Sequence, residues 1–193
     1  MKSIILASQS PRRQELLKQV GLEFEVIPAD IDENLLQSVS PIEMVQQLAC
    51  QKAKFVANGK QKGIIIAADT IVVVDDRVMG KPNTKDDAYQ MLSSLSGRVH
   101  QVMTGLCVIN AEAGKTECGV EQTEVTFRTL SESEIVAYIA SGEPFDKAGG
   151  YGVQGLGALL VEKINGCYFN VVGLPLSKLF QMLKNQGIDL LGR

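Results

Sequence analysis

The sequence predicts a single α/β domain built on a mixed β-sheet. Three observations lead there. Strand-like and helix-like hydrophobic blocks alternate from one end of the chain to the other. The longest block, Gly63 to Val74 (GIIIAADTIVVV), is almost continuously apolar, as a strand covered on both faces is. No internal repeat, low-complexity tract or linker divides the 193 residues, a length that suits one domain, or at most two small lobes, and residues 1–193 are read as one domain.

The elements follow in order. Ser3 to Ala7 is a short apolar strand. Ser10-Pro11 reads as an N-cap followed by proline at the first helical position, with Gly21 as the stop. Glu23 to Pro28 alternates as a strand does. Ser40-Pro41 opens a helix of about five turns that ends near Asn58-Gly59. After the Gly63–Val74 strand, Asp75-Asp76-Arg77 turns a hairpin back through Val78 and Met79. Thr84 caps a helix through Leu95. Val99–Asn110 and Lys115–Arg128 are β-rich and are joined around Ala113-Gly114. Ser131 to Glu134 forms a capping box for the next helix. Leu156 to Lys163 reads as a strand, Asn165-Gly166 as a turn, and Pro175 to Asn185 as the last helix.

Composition narrows the functions. With 45% apolar and 21% charged residues and a net charge of -3, the chain lacks the basic excess of a nucleic-acid binder. No apolar run reaches the roughly 18 to 20 residues of a membrane helix, and MKSIILASQSPRR does not read as a signal peptide. A cytoplasmic protein is the expectation. One histidine, His100, excludes a multi-histidine metal site, and a Ser-His-Asp enzyme would rest on it alone. Cys50, Cys107, Cys118 and Cys167 form no Cys-x-x-Cys pair, so the spacing argues against a structural zinc cluster, and with cytoplasmic residence the expectation is four reduced, buried thiols. Metal chemistry would then use carboxylate oxygens, which select Mg²⁺ or Mn²⁺.

Six places can carry chemistry. Ser8-Gln9-Ser10-Pro11-Arg12-Arg13 puts two cations in a first helical turn, where the helix dipole disfavours them. Together with free backbone N–H groups and small hydroxyls they suit a phosphate; the plain alternative is capping serines and surface arginines. Asp69 sits inside an apolar strand, where a carboxylate is expensive unless paired, hydrogen-bonded or metal-bound. It is either a base or metal ligand at a strand interruption, or a cap at a bulge. Lys81 in Gly80-Lys81-Pro82 follows the hairpin and is either a phosphate cation or a surface lysine. Glu33, in an acidic loop, is a second metal carboxylate or simply solvated; Lys52 and Lys54 sit on the second helix, where solvation is the plain reading. Finally, Gly142 to Gly157 holds six glycines in sixteen residues. That density permits close backbone approach to a ligand, with Asp146, Lys147 and Gln154 as polar handles. It matches neither a Walker loop nor the dinucleotide fingerprint.

As a set, LASQSPRRQELL, AADTIVVVDDRVMGKP, LSGRVHQVMTG, GEPFDKAGGYGVQGLG and NVVGLPLSKL resemble the Maf family, in order from Leu6 to Leu179. The resemblance implies a nucleoside triphosphate pyrophosphatase, a hydrolase of acid anhydrides that cuts between the α and β phosphates. It further implies a cytoplasmic, metal-dependent, often homodimeric protein with a two-lobed Maf/ITPase-like fold. In that fold an elongated mixed sheet, flanked by helices, surrounds a central cleft. Nucleotide-pool housecleaning and restraint of cell division come with the family. By resemblance Asp69 is the proton acceptor, and Arg12, Thr70 and Gln154 are the positions that separate substrate subgroups. Arg, Thr and Gln at these places look like the branch acting on dTTP and UTP, with modified pyrimidine nucleotides also open. A triphosphate brings about four negative charges, which Arg12, Arg13, Lys52 and Lys81 can match locally, with Ser8 beside them. Mg²⁺ or Mn²⁺ on Asp69 and Glu33 would neutralise phosphate charge. The alternative class is a nucleotide sensor that binds in the same place without turnover.

Overall fold

The computed structural model describes residues 3–31 and 39–192. Glu33 lies outside the described residues. Seven strands, β1 (Ile4–Leu6), β2 (Glu25–Val26), β3 (Ile64–Val74), β4 (Arg77–Met79), β5 (Val99–Asn110), β6 (Lys115–Phe127) and β7 (Val161–Asn165), run in the order β2-β1-β3-β5-β6-β7, with β4 on β3. β1 is parallel to both β2 and β3, whereas β4 and β7 are antiparallel to their partners, so the sheet is mixed as expected. Among the described residues, six α-helices accompany it: α1 (Pro11–Gln19), α2 (Pro41–Ala57), α3 (Lys85–Leu95), α4 (Glu132–Ala140), α5 (Tyr168–Val172) and α6 (Leu176–Asn185).

Helix starts are fixed by local hydrogen bonds. Ser10, Ser40, Thr84 and Ser131 each accept from the backbone N–H three residues on. At the last three, the carboxylate of Glu43, Asp87 or Glu134 reaches back to complete a capping box. Each such box stabilises its helix by about 1 kcal/mol.

The chain divides into two compact units: Met1–Asp69, Thr104–Glu121 and Gly173–Arg193 form one, and Thr70–Met103 with Gln122–Val172 the other. In the first unit, Ile5, Ala7, Ile65, Ala67, Cys107 and Ile109 pack against Ala49, Ala53 and Val56 of α2. The small residues let α2 lie close. At Gly105 a Cβ would come within 2.1 Å of the Val45 carbonyl oxygen, so no larger residue fits there without moving the helix.

In the second unit, Asp75 (φ 48°) and Asp76 (φ 60°) both adopt left-handed backbone at the β3–β4 turn, as a two-residue hairpin turn requires. The core gathers Val72, Leu92, Leu95, Val125, Phe127 and Ile135. His100, Phe127 and Tyr151 meet edge to face, with centroids 4.6 to 5.3 Å apart.

One local expectation fails, and one element is unexpected. Gly155–Leu159 form a 3-10 turn, and the strand starts only at Val161. Gly155 has φ +63°, and a Cβ at Gly157 would strike the Gly152 carbonyl at 2.1 Å; the chain folds back here instead of extending. The short helix α5 carries no strong sequence signal. It is anchored from outside, since the Asn170 amide donates to the Val102 carbonyl and to Thr123 Oγ1, both at 3.0 Å.

The cysteines also differ from expectation. Cys50 on α2 and Cys118 on β6 are joined as a disulfide, whereas Cys107 and Cys167 are free. The first pair is therefore not two reduced thiols. Residues 68 positions apart are brought together by the stacking of α2 on the sheet, which spacing along the chain cannot reveal.

Candidate active site

The site begins where β1 gives way to α1. Ser8 is 8% exposed, and its Oγ accepts from the Ser10 N–H (3.2 Å) and from Arg13 Nη1 (3.0 Å). Arg13 Nε donates to the Gly173 carbonyl at 2.8 Å. The first turn of α1 carries no acidic residue, and its positive pole and the Arg13 charge both favour an anion. Arg13 is a braced cation, its guanidinium oriented by Ser8 and Gly173. Arg12 lies half-buried beside it.

Asp69 lies within β3, and the strand runs through it without a break. The expected strand interruption is absent. The charge is accommodated in another way: Lys52 Nζ of α2 sits 2.5 Å from Asp69 Oδ1, with side chains only 13% and 12% exposed. Alternation along β3 explains the meeting. Ile65, Ala67 and Asp69 share a face, and Ile65 and Ala67 pack against α2. Lys52 is thus a partner of the carboxylate, and solvation, the plain reading of its position, is overturned. Lys54 is exposed.

In the second unit, Thr70 is half-buried on β3, and Lys81 is exposed in the loop after β4. That loop is bonded to the glycine-rich segment, for the Gly149 N–H donates to the Gly80 carbonyl at 2.9 Å. Gly149 and Gly150 have φ of +69° and +71°, and a Cβ at Gly149 would press Val72 at 3.0 Å. Glu143, unremarked in the sequence, organises the next stretch: its carboxylate oxygens accept from the N–H groups of Leu156 (2.9 Å) and Gly157 (3.2 Å). It fixes the turn directly after Gln154, whose own side chain is exposed. Lys147 donates to the Glu143 carbonyl and to Asp146 Oδ1, both at 2.6 Å, so these two handles serve the segment itself.

His100 is 2% exposed, its Nε2 lies 2.6 Å from the Tyr151 hydroxyl, and burial pulls its pKa down to about 4. Burial likewise drives the Tyr138 and Tyr151 hydroxyls upward, well above the usual phenol range. These groups hold the core beneath the glycine-rich segment, and none forms a Ser-His-Asp triad.

For a divalent cation, Asp69 offers a carboxylate whose contact with Lys52 uses Oδ1. Mg²⁺ and Mn²⁺ are commonly held by one or two carboxylates together with substrate phosphates and water, and this donor set fits such an ion. Among the described residues, the group of three that could hold a metal is a different one, Cys50, Cys107 and Cys118. No described helix is long and apolar enough to cross a membrane.

A mixed-sheet α/β protein with a braced arginine at a helix N-terminus and a lysine-paired carboxylate inside a strand is of a class suited to phosphate chemistry. The chain belongs to the Maf family, whose Maf-like protein model matches residues 3–186. It is 52% identical over 190 residues to the dTTP/UTP pyrophosphatase of Desulforamulus reducens, covering 98% of this chain and 100% of that one. It is 51% identical to the dTTP/UTP pyrophosphatase of Halalkalibacterium halodurans (98% of each chain). With that of Acetivibrio thermocellus it shares 50% (99% of this chain, 98% of that one).

Proposed function

We infer that this chain is a nucleoside triphosphate pyrophosphatase that hydrolyses dTTP and UTP to the nucleoside monophosphate and diphosphate. The observation that carries the reading is the Lys52–Asp69 pair, a base candidate in the middle of β3 met by a cation from α2, both largely shielded from solvent. The near-full-length likeness to dTTP/UTP pyrophosphatases supports the choice of substrate.

Each residue has a role. Ser8, Arg12 and Arg13 meet phosphate oxygens through charge-assisted hydrogen bonds. Asp69 takes the proton of the attacking water. As its charge is neutralised its hold on Lys52 weakens, and the ammonium becomes available to the phosphate whose charge is growing. Lys81 stabilises the departing diphosphate. Asp69, with Glu33 as second carboxylate, would hold Mg²⁺ or Mn²⁺, which supplies phosphate charge neutralisation and a more acidic water. Gln154 reads the base through its amide, which both donates and accepts, as the N3–H and carbonyl edge of uracil or thymine requires; Thr70 and Arg12 complete the choice. Residues 1–193 work as one domain. Cytoplasmic residence, where free nucleotides are found, homodimerisation, and action on nucleotides instead of nucleic-acid polymers or membranes belong to the same reading.

The test is diphosphate release across the common nucleotides, 7-methyl-GTP and ITP, with millimolar Mg²⁺ or Mn²⁺. We expect dTTP and UTP to give the highest kcat/KM, and Gln154→Glu to lower both by about 30-fold or more while the fold is retained. Preference of the purified enzyme for 7-methyl-GTP, GTP or ITP over both would overturn the substrate assignment. No turnover with any of them would leave a sensor.

A further inference from the structure

Three cysteines that the sequence keeps apart converge in the first unit. Cys50 comes from α2, Cys107 from β5 and Cys118 from β6, and their Sγ atoms all lie within 4.8 Å of one another. Cys50 and Cys118 form the disulfide, and the Cys107 thiol sits 3.3 Å from Cys118 Sγ. We propose that, with the Cys50–Cys118 bond reduced, these three sulfurs form a binding site for one thiophilic d¹⁰ cation, Zn²⁺ or Cu⁺.

Chemistry, geometry and surroundings each support this. Thiolates select Zn²⁺ and Cu⁺ over hard cations, so the cluster does not compete with Asp69 for Mg²⁺ or Mn²⁺. Sulfurs each about 2.3 Å from one ion stand roughly 4 Å apart; with the Cys50–Cys118 bond reduced, that pair and the Cys107–Cys118 pair at 3.3 Å need only open toward that distance. Cys107 is fully buried, and the cysteines adjoin Ala49, Ala53, Ile65 and Ile109; an apolar shell limits competition from water. Three thiolates around Zn²⁺ leave one net negative charge; burial pushes the Cys107 thiol up to about 11, with the Lys54 cation a smaller opposing influence, so the ion itself must take the place of that proton. Convergent cysteines in a reducing compartment more often bind metal than form structural disulfides.

The steps balance. A dithiol reductant supplies two electrons and two protons, breaks the Cys50–Cys118 bond and leaves as its own cyclic disulfide. The cation then displaces the thiol protons as the three S–metal bonds form. The oxidised form has spent two of the three sulfurs and has no site, so disulfide and metal are alternative occupants of one place. None of this depends on the hydrolytic reading.

The experiment uses the full chain, reduced with a dithiol and freed of it anaerobically. One arm titrates Co²⁺ as a spectroscopic stand-in for Zn²⁺, followed by displacement with Zn²⁺; the other delivers Cu⁺ from a competing chelator. One equivalent is expected, with a sulfur-to-metal charge-transfer band, in at least one arm, and the arm that binds more tightly names the ion. Cys50→Ser and Cys107→Ser should weaken binding by about 10²-fold or more, Cys167→Ser should leave it unchanged, and the oxidised protein should not bind. Cys50 is only partly buried, so its variant keeps the test valid if Cys107→Ser fails to fold. A folded, fully reduced protein with no charge-transfer band in either arm overturns the proposal. So does binding that survives in both serine variants, which would place the metal elsewhere.

Discussion

The two units hold their site residues by different means. In the first, functional side chains stand on regular elements and brace one another: Lys52 on α2 against Asp69 on β3, Arg13 on α1 against Ser8 and Gly173. In the second, Gln154 and Lys81 ride on loops, and the restraint is on the backbone beneath them, through Gly149 to Gly80 and Glu143 to Leu156 and Gly157. Charge on a helix and a strand is expensive to misplace, so under the proposed function the phosphate chemistry is tied to the scaffold. Under the same proposed function, base recognition needs one amide at the right depth, and a turn held by the Glu143 carboxylate would supply that while leaving the side chain exchangeable.

This contrast can be broken first at its strongest point. Asp69→Asn should lower kcat by at least about 10²-fold, because the amide has no basic lone pair at physiological pH. It should also lower stability by about 3 kcal/mol, since the Lys52 ammonium then lies against a neutral group in a nearly buried position. Steady-state kinetics and urea unfolding read the two losses separately; wild-type kcat in the folded variant would remove Asp69 from the chemistry.

The second unit is best tested by pH. Burial holds the folded-state pKa of His100 near 4, below the unfolded value near 6.5, so the unfolded chain binds the extra proton first. The stabilisation is complete above about pH 6.5 and disappears as pH falls through 4, amounting to about 3 kcal/mol. Unfolding midpoints between pH 4 and 7 should show this slope, and His100→Gln should flatten it. An unchanged slope in the variant would assign the titration to other groups.

The smallest effect sharpens the contrast instead of breaking it. Glu143→Ala frees the Leu156 and Gly157 N–H groups, so the turn after Gln154 loosens. KM for dTTP and UTP should rise about 10-fold with kcat nearly unchanged, and Glu143→Gln, which keeps one acceptor, should fall between. If kcat falls as much as the affinity does, the loop is part of the reacting assembly and not only a support for base selection.

Much of this was legible in the chain. Capping serines and threonine, the Asp75-Asp76 turn and the apolar run of β3 are local signals, and each element they predict is present. Asp69 was legible for the opposite reason, being a charge that no local rule places in a strand. Its partner was not: Lys52 lies 17 residues away on a helix, where a lysine reads as solvated. Only the packing of α2 on β3 selects it. Glu143 escaped notice because an exposed-looking glutamate next to proline gives no sign that two N–H groups fold onto it. The cysteine trio was hidden for a related reason, as spacing rules see pairs along the chain and not three elements meeting.

The continuity of β3 bears on how the length of this protein can change over generations. Asp69 and Thr70 are consecutive residues of one unbroken strand, and consecutive strand residues point to opposite faces. Losing or gaining a single residue between Ile64 and Asp69 would turn the carboxylate away from Lys52 and send the apolar side chains before it to the opposite packed face, where they do not fit. Insertions and deletions should therefore be purged from β3 and collect in turns such as Asn110–Lys115, where the Ala113 N–H bonds back to Asn110 Oδ1 and the tip is exposed. A library of one-residue deletions across the gene, selected for soluble expression, would show a gap over β3 and survivors at that turn.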